Sequence, residues 1–282
     1  MEKNVIIVNP EEFEKTKKEI SRQGKEKLHV LADFDRTLTY SFVKGEEVPS
    51  MIFILRKENY LTEDYSEKAH ALFDKYHPIE INPEIPLEEK KKAMIEWWKS
   101  HFDLLIKCKL NKKDLEKAVT SEKIKLRDGA SEFFDILHKN SIPLIILSSS
   151  GLGGDAISMY LENKGKLYDN MHIISNSYVW DKDGYAKGVK EPIIHSMNKA
   201  EISIKNYPAY KKIKDRKNVL LLGDNIEDLG MIEGFGYDNL IKIAFLNQDI
   251  EKNLDLYKKN YDIIILNDSD MEYVNKILKE LI

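Results

Sequence analysis

Apolar and polar positions follow two periods along this chain. Short, nearly continuous apolar runs recur at 28–32, 143–147, 219–222, 241–246 and 261–266. Polar or glycine-containing segments bound each of them, the pattern of strands buried on both faces. The spacing predicts one more strand at 172–175 and a hairpin turning at Asp183-Gly184. Helical spacing fills the intervals 129–140, 154–164, 192–205, 226–233 and 248–259. A last helix carries Val274, Ile277, Leu278 and Leu281. Asn9-Pro10-Glu11-Glu12 reads as a helix start and Gly24 as its end, with Phe13 and Ile20 as its few core contacts. Strands alternating with helices give an α/β fold: a mostly parallel, doubly wound sheet with helices on both faces.

One region breaks the alternation. Residues 62–76, 86–107 and 111–121 have helical spacing, with Pro78, Pro83 and Pro86 interrupting the first two, and no strand pattern occurs from about 47 to 125. That is too much chain for a crossover connection. The expected organisation is therefore a discontinuous α/β core, residues 1–46 and 126–282, with an inserted helical cap domain at 47–125.

Composition narrows the class. With 42% apolar and 33% charged residues in 282, the chain can bury a core and stay dissolved. A net charge of -4 argues against a nucleic-acid polymer or an anionic membrane as partner. The basic cluster Lys211, Lys212, Lys214, Arg216 and Lys217 is read as a solvated loop or helix end. Cys108 is the only cysteine, which excludes an intrachain disulfide and a cysteine zinc site. The apolar run after Met1 is too short for a signal peptide, so a cytoplasmic monomer is the expectation.

The first core strand ends in Asp33-Phe34-Asp35-Arg36-Thr37-Leu38-Thr39. In open α/β sheets ligands bind beyond the carboxyl ends of strands. Two carboxylates there suit phosphoryl transfer: one attacks phosphorus, the other handles the proton. A divalent cation would offset the crowded charge, and magnesium favours such oxygen ligands. The second strand end, Ser148-Ser149-Ser150-Gly151, offers hydroxyl and backbone donors for a phosphate. The fourth ends in Gly223-Asp224, with Asp228 one helical turn on, a spacing that fits a metal ligand and a supporting carboxylate or a helix cap. Taken alone, Lys199 is one lysine among many and Glu80 an exposed acid beside prolines. Trp97 and Trp98, adjacent on a helix, cannot share one face, so at least one belongs to the core.

These motifs, in this order, resemble those of the haloacid dehalogenase-like phosphatases. More closely, the chain resembles the cytosolic class III pyrimidine 5'-nucleotidases. The likeness runs through Lys44-Gly45, Tyr76-His77-Pro78-Ile79-Glu80-Ile81-Asn82-Pro83, Glu96-Trp97-Trp98-Lys99-Ser100-His101, Ser141-Ile142-Pro143, Lys187-Gly188, Ile194-His195, Asn198-Lys199, Leu222-Gly223-Asp224 and Tyr261-Asp262-Ile263. The resemblance implies a Rossmann-type core and a Mg2+-dependent hydrolase that splits nucleoside 5'-monophosphates, CMP or UMP, through an aspartyl phosphate. It also permits transfer to a nucleoside in place of water. By matching position, it implies Asp33 as nucleophile and Asp35 as general acid and base. Magnesium would be held by Asp33, the Asp35 carbonyl and Asp224, with Asp228 in support. Ser148 and Lys199 would bind phosphate, and Glu80 and Ser100 the nucleotide. The loop after Ser148 is longer here than in the family pattern, which leaves Ser149 and Ser150 both open as the second phosphate donor. Another small-molecule phosphatase of the superfamily and a non-enzymatic phospho-acceptor module are the competing readings. The module needs neither the second acid nor the cap.

Overall fold

The apolar runs assemble into one sheet because neither face of such a strand can be left to water. The computed structural model describes residues 4–48, 50–82, 84–233 and 236–282, with Glu201 by its backbone alone. β1 (Val5–Ile7) leads into α1 (Pro10–Gln23). Asn9 caps this helix, its side chain accepting from the Glu12 N–H at 3.3 Å, and Gly24 ends it at φ 83°. β2 (Leu28–Ala32) follows, buried along its whole length. A small hairpin, β3 (Phe42–Val43) with β4 (Glu46–Glu47), precedes α2 (Met51–Lys57), α3 (Tyr65–Ile81), α4 (Leu87–Lys107) and α5 (Lys112–Val119). The chain then alternates: α6 (Ala130–Lys139), β5 (Leu144–Leu147), α7 (Gly153–Asn163), β6 (Met171–Ile174) and the hairpin β7 (Tyr178–Trp180) with β8 (Ala186–Val189). It ends with α8 (Tyr210–Ile213), β9 (Asn218–Gly223), β10 (Asn239–Leu246), α9 (Ile250–Asn260), β11 (Ile263–Leu266) and α10 (Glu272–Leu281).

Among the described residues, seven strands form the main sheet in the order β1-β11-β10-β9-β2-β5-β6. All pairs are parallel except β1 on β11, where Val5 lies opposite Ile265. Successive residues of the central strands take opposite faces. Val30, Ile146 and Leu220 pack on one side; Leu31, Ile145 and Leu221 pack on the other. The chain order reverses around β2, with β5 and β6 to one side and β9 to β11 to the other. Asp33, Ser148 and Asp224 follow the carboxyl ends of β2, β5 and β9 at that reversal, where such sheets bind ligands.

The helical insertion has two hydrophobic parts. Met51, Ile54, Tyr65, Phe102 and Leu105 belong to the same cluster as one face of the sheet. The outer halves of α3 and α4 form a separate cluster around Tyr76 and Met94.

Three local expectations are corrected. Residues 192–205 and 226–233 do not form α-helices; they hold 3₁₀ turns at Ser196–Glu201, Ile204–Asn206 and Ile226–Ile232. Side chains satisfy their first backbone donors at once: Asn198 takes the His195 N–H, and Asp228 takes those of Asp224 and Asn225. Pro78 does not break its helix, which runs on to Ile81. The missing bond frees the carbonyl of exposed Asp74, which can turn to water. Pro83 lies outside the described residues. β1 and α2 are additional elements that the periodicity did not mark.

Candidate active site

The site is built from four chain segments that meet at the carboxyl edge of the sheet. Asp33 follows β2 directly, and its N–H donates to the Leu222 carbonyl of β9 at 3.1 Å. Lys199, on the first 3₁₀ turn and 3% exposed, brings its Nζ 2.9 Å from Asp33 Oδ1 and 2.6 Å from Asp228 Oδ1. The other Asp228 oxygen accepts from the N–H groups of Asp224 (2.9 Å) and Asn225 (3.0 Å). One carboxylate thus fixes both the lysine and the loop that presents Asp224. Gly223 is required here, since a Cβ would lie 2.5 Å from the Asp228 Cβ. Thr37 Oγ1 donates to Asp224 Oδ1 at 3.2 Å, and Arg36 Nε lies 3.6 Å from its other oxygen.

One carboxylate oxygen from each of Asp33, Asp224 and Asp228 lies within 4.8 Å of the other two. Three hard oxygen donors so arranged suit a divalent cation of the magnesium or calcium type. Without a cation the charges are poorly compensated. Burial raises the Asp35 carboxyl to about 8, with Asp33 and Asp224 adding repulsion. Burial also raises Asp33 and Asp224, against the pull of Lys199 on the first and Arg36 on the second. For Lys199 burial acts in the opposite direction, but Asp228 and Asp33 outweigh it and hold the ammonium charged. The arrangement therefore places a buried ammonium beside a cluster of carboxylates that could hold a cation, and an acid, Asp35, whose pKa burial raises.

These groups face a cavity of about 210 Å³. The sequence profile described as pyrimidine 5'-nucleotidase (UMPH-1) matches residues 36–282. The chain belongs to this family.

The pyrimidine 5'-nucleotidase match begins just after Asp35, and the relatives extend it over the whole chain. The 7-methylguanosine phosphate-specific 5'-nucleotidase A of Xenopus laevis is 36% identical over 276 residues, covering 98% of this chain and 94% of its own. The human 7-methylguanosine phosphate-specific 5'-nucleotidase is 32% identical over 283 residues, covering 100% and 94%. A crystal structure of cytosolic 5'-nucleotidase IIIB bound to cytidine superposes with a TM-score of 0.87 at 27% identity, covering 100% of this chain and 94% of that one. A phosphoserine phosphatase captured as a phospho-aspartyl intermediate analogue shares the fold, with a TM-score of 0.53 at 20% identity, covering 88% and 97%.

Of the residues singled out from the sequence of this family member, Asp33, Asp35, Glu80, Ser149, Lys199, Asp224 and Asp228 line the cavity. Ser148 is buried beside it, and its Oγ accepts from the Ser150 N–H at 3.2 Å. Ser100 is not on the wall. Trp98 is, and a residue two positions further along a helix points about 200° away. Trp97 turns instead to Tyr76, ring to ring at 5.9 Å. Ser150, like Ser149, lines the cavity, and its buried hydroxyl has no hydrogen-bond partner among the described residues. Arg36, Ser50, Gly151, Ser196, Asn225 and Glu227 are wall residues that pattern reading missed. Arg36 and Gly151 lie inside motifs already flagged, so the motifs themselves were the signal. Ser196 and Glu227 carried none.

A further residue acts from behind. Arg127, 1% exposed, donates to the carbonyls of Thr37 (2.8 Å) and Arg36 (2.5 Å) and to Asn247 Oδ1 (2.7 Å). It pairs with Asp268, whose carboxylate takes the N–H groups of Ser41 and Phe42. This buried guanidinium ties down the turn that follows Asp35. Among the described residues, no helix is long and apolar enough to cross a membrane.

Proposed function

We propose that the chain is a Mg2+-dependent 5'-nucleotidase that hydrolyses nucleoside 5'-monophosphates. The observation that carries this reading is the meeting of Asp33, Asp35, Lys199, Asp224 and Asp228 at one cavity, in a chain of this family. Asp33, the Asp35 carbonyl and Asp224 would hold the ion, with Asp228 in support, and a donor set of oxygens fits magnesium. When bound, the ion supplies positive charge against the phosphoryl oxygens. Asp33 attacks phosphorus to form an aspartyl phosphate, and Asp35 protonates the departing 5'-oxygen. Asp35 then takes a proton from water, which hydrolyses the intermediate. Its raised pKa suits the first step, which needs a proton on Asp35 at neutral pH. Lys199, Ser148 and one of Ser149 and Ser150 hold phosphate oxygens; the unpartnered hydroxyl favours Ser150. The helices of 47–125 act as a cap that brings Glu80 to the nucleotide and excludes water. The cytosolic names of relatives support a cytosolic place for this chain.

Two substrates compete within the class. The family's description and the cytidine bound in the related crystal structure support a pyrimidine nucleotide. The names of the relatives support 7-methylguanosine monophosphate. Phosphate release from a panel of CMP, UMP, GMP and 7-methyl-GMP, with Mg2+ or with a chelator, tests the function and ranks the bases. Turnover of at least one nucleotide, lost on chelation, is expected. No release from any of them ends the proposal.

Metal binding should also follow pH. Asp33 and Asp224 have raised folded-state pKa values, so in the metal-free protein stability is lost as pH rises and they ionise together. Magnesium binds only the ionised forms and relieves that repulsion. The thermal stabilisation by saturating Mg2+ is therefore expected to be larger at about pH 8 than at about pH 5.5, by about 1 kcal/mol or more. Equal shifts at the two pH values would remove the carboxylate cluster as the ion's site.

A further inference from the structure

The outer halves of α3 and α4 hold together through Leu72, Tyr76, Ile79, Ala93, Met94 and Trp97, separately from the core clusters. One side chain from outside those helices enters this group: Met197, 8% exposed, from the 3₁₀ turn that carries Lys199. Next to it, Ser196 Oγ donates to Glu80 Oε1 at 2.7 Å. With about three residues per turn, Ser196 and Lys199 lie one above the other, which explains why both face the cavity. The turn is stiff. Asn198 accepts from the His195 N–H and donates to the Ile193 carbonyl, each at 2.8 Å, and the His195 ring accepts from the Met197 N–H.

We propose that Ser196 and Met197 are positioning residues that seat the outer lobe of the cap, and with it Glu80, on the turn that holds Lys199. The proposal rests on the 5'-nucleotidase reading of the cavity. On this view the base of the insertion, packed into the core through Met51, Tyr65, Phe102 and Leu105, stays fixed. Met197 supplies an apolar foothold, and Ser196 fixes the angle of the carboxylate. A nucleotide, which needs Glu80 in place, then depends on the clasp, whereas a small phosphate ester that uses only the core does not.

Met197→Ala, Met197→Leu and Ser196→Ala are compared with the wild-type chain in two assays. The first is hydrogen–deuterium exchange over 72–97. The second is turnover of p-nitrophenyl phosphate and of the nucleotide that the panel ranks first. Met197→Ala should speed exchange in the lobe and lower kcat/KM on the nucleotide roughly tenfold, mainly through KM, with p-nitrophenyl phosphate changed by less than about twofold. Met197→Leu should restore both. Ser196→Ala should raise the nucleotide KM about fivefold, the effect of one hydrogen bond. Unchanged lobe exchange in Met197→Ala, or equal losses on the two substrates, overturns the seating role. If the wild-type chain turns over no phosphate ester, the nucleotidase reading falls and exchange alone decides the clasp.

Discussion

Asp33→Asn is expected to abolish phosphate release, by roughly 10⁴-fold or more, the scale on which catalysis fails when a nucleophile working with a proton-transfer partner is removed. The amide keeps the shape of the carboxylate and nearly all of its packing, so the fold should survive. The charge balance makes a sharper statement. Asp33 is buried beside Asp228 and within reach of Asp35 and Asp224, and burial already raises its pKa. Removing that charge lessens repulsion, while Lys199 keeps its 2.6 Å contact with Asp228. The variant should therefore melt no lower than the wild type in the absence of metal, and its gain from Mg2+ should shrink. Such exchange of stability for activity is usual where function crowds like charges together. Measurable turnover in Asp33→Asn, with product confirmed, would take the nucleophile's role from this residue.

That a site belonged after β2, β5 and β9 was legible because strand ends are marked locally. The run Leu28–Ala32 stops at Asp33, and Asn218–Gly223 stops at Asp224. A parallel sheet then brings such ends to one edge whatever the intervening chain does. What stayed hidden depends on distance along the chain. Ser196 meets Glu80 across 116 positions, and Arg127 reaches the Arg36 carbonyl across 91. No local period encodes either contact. β1 escaped for a related reason: three residues carry too little pattern, and its strand character comes from Ile263, Ile264 and Ile265 opposite it. The 3₁₀ turns read as α-helices because both place apolar residues at intervals of three, and that spacing alone does not separate the two. Glu80 shows what resemblance can add. Pattern alone made it an exposed acid; in the fold it lines the cavity.

Lys199→Met should be the most damaging single change to stability within the site. The ammonium is the contact between two carboxylates otherwise buried together, and methionine keeps its length without its charge. Removing one partner of a buried pair typically costs about 3–5 kcal/mol, because the charge left behind has lost its compensation. The sign of the pH dependence follows. Lys199 has a raised pKa, so its contribution is fully present below the pKa of an unfolded lysine, throughout the neutral range. In Lys199→Met the loss should be largest near about pH 7.5, where Asp33, its pKa raised by burial, must ionise without the ammonium beside it. It should fall towards about pH 5, where a proton on Asp33 takes over from the ammonium. Turnover should fall by about 10²–10³-fold even where the protein is folded, the cost of losing a preorganised charge against a phosphoryl group. Chemical denaturation at the two pH values measures the first effect, and phosphate release at the lower one the second. A variant as stable as the wild type at pH near 7.5 would show that Lys199 is not the countercharge on which this cluster of acids depends.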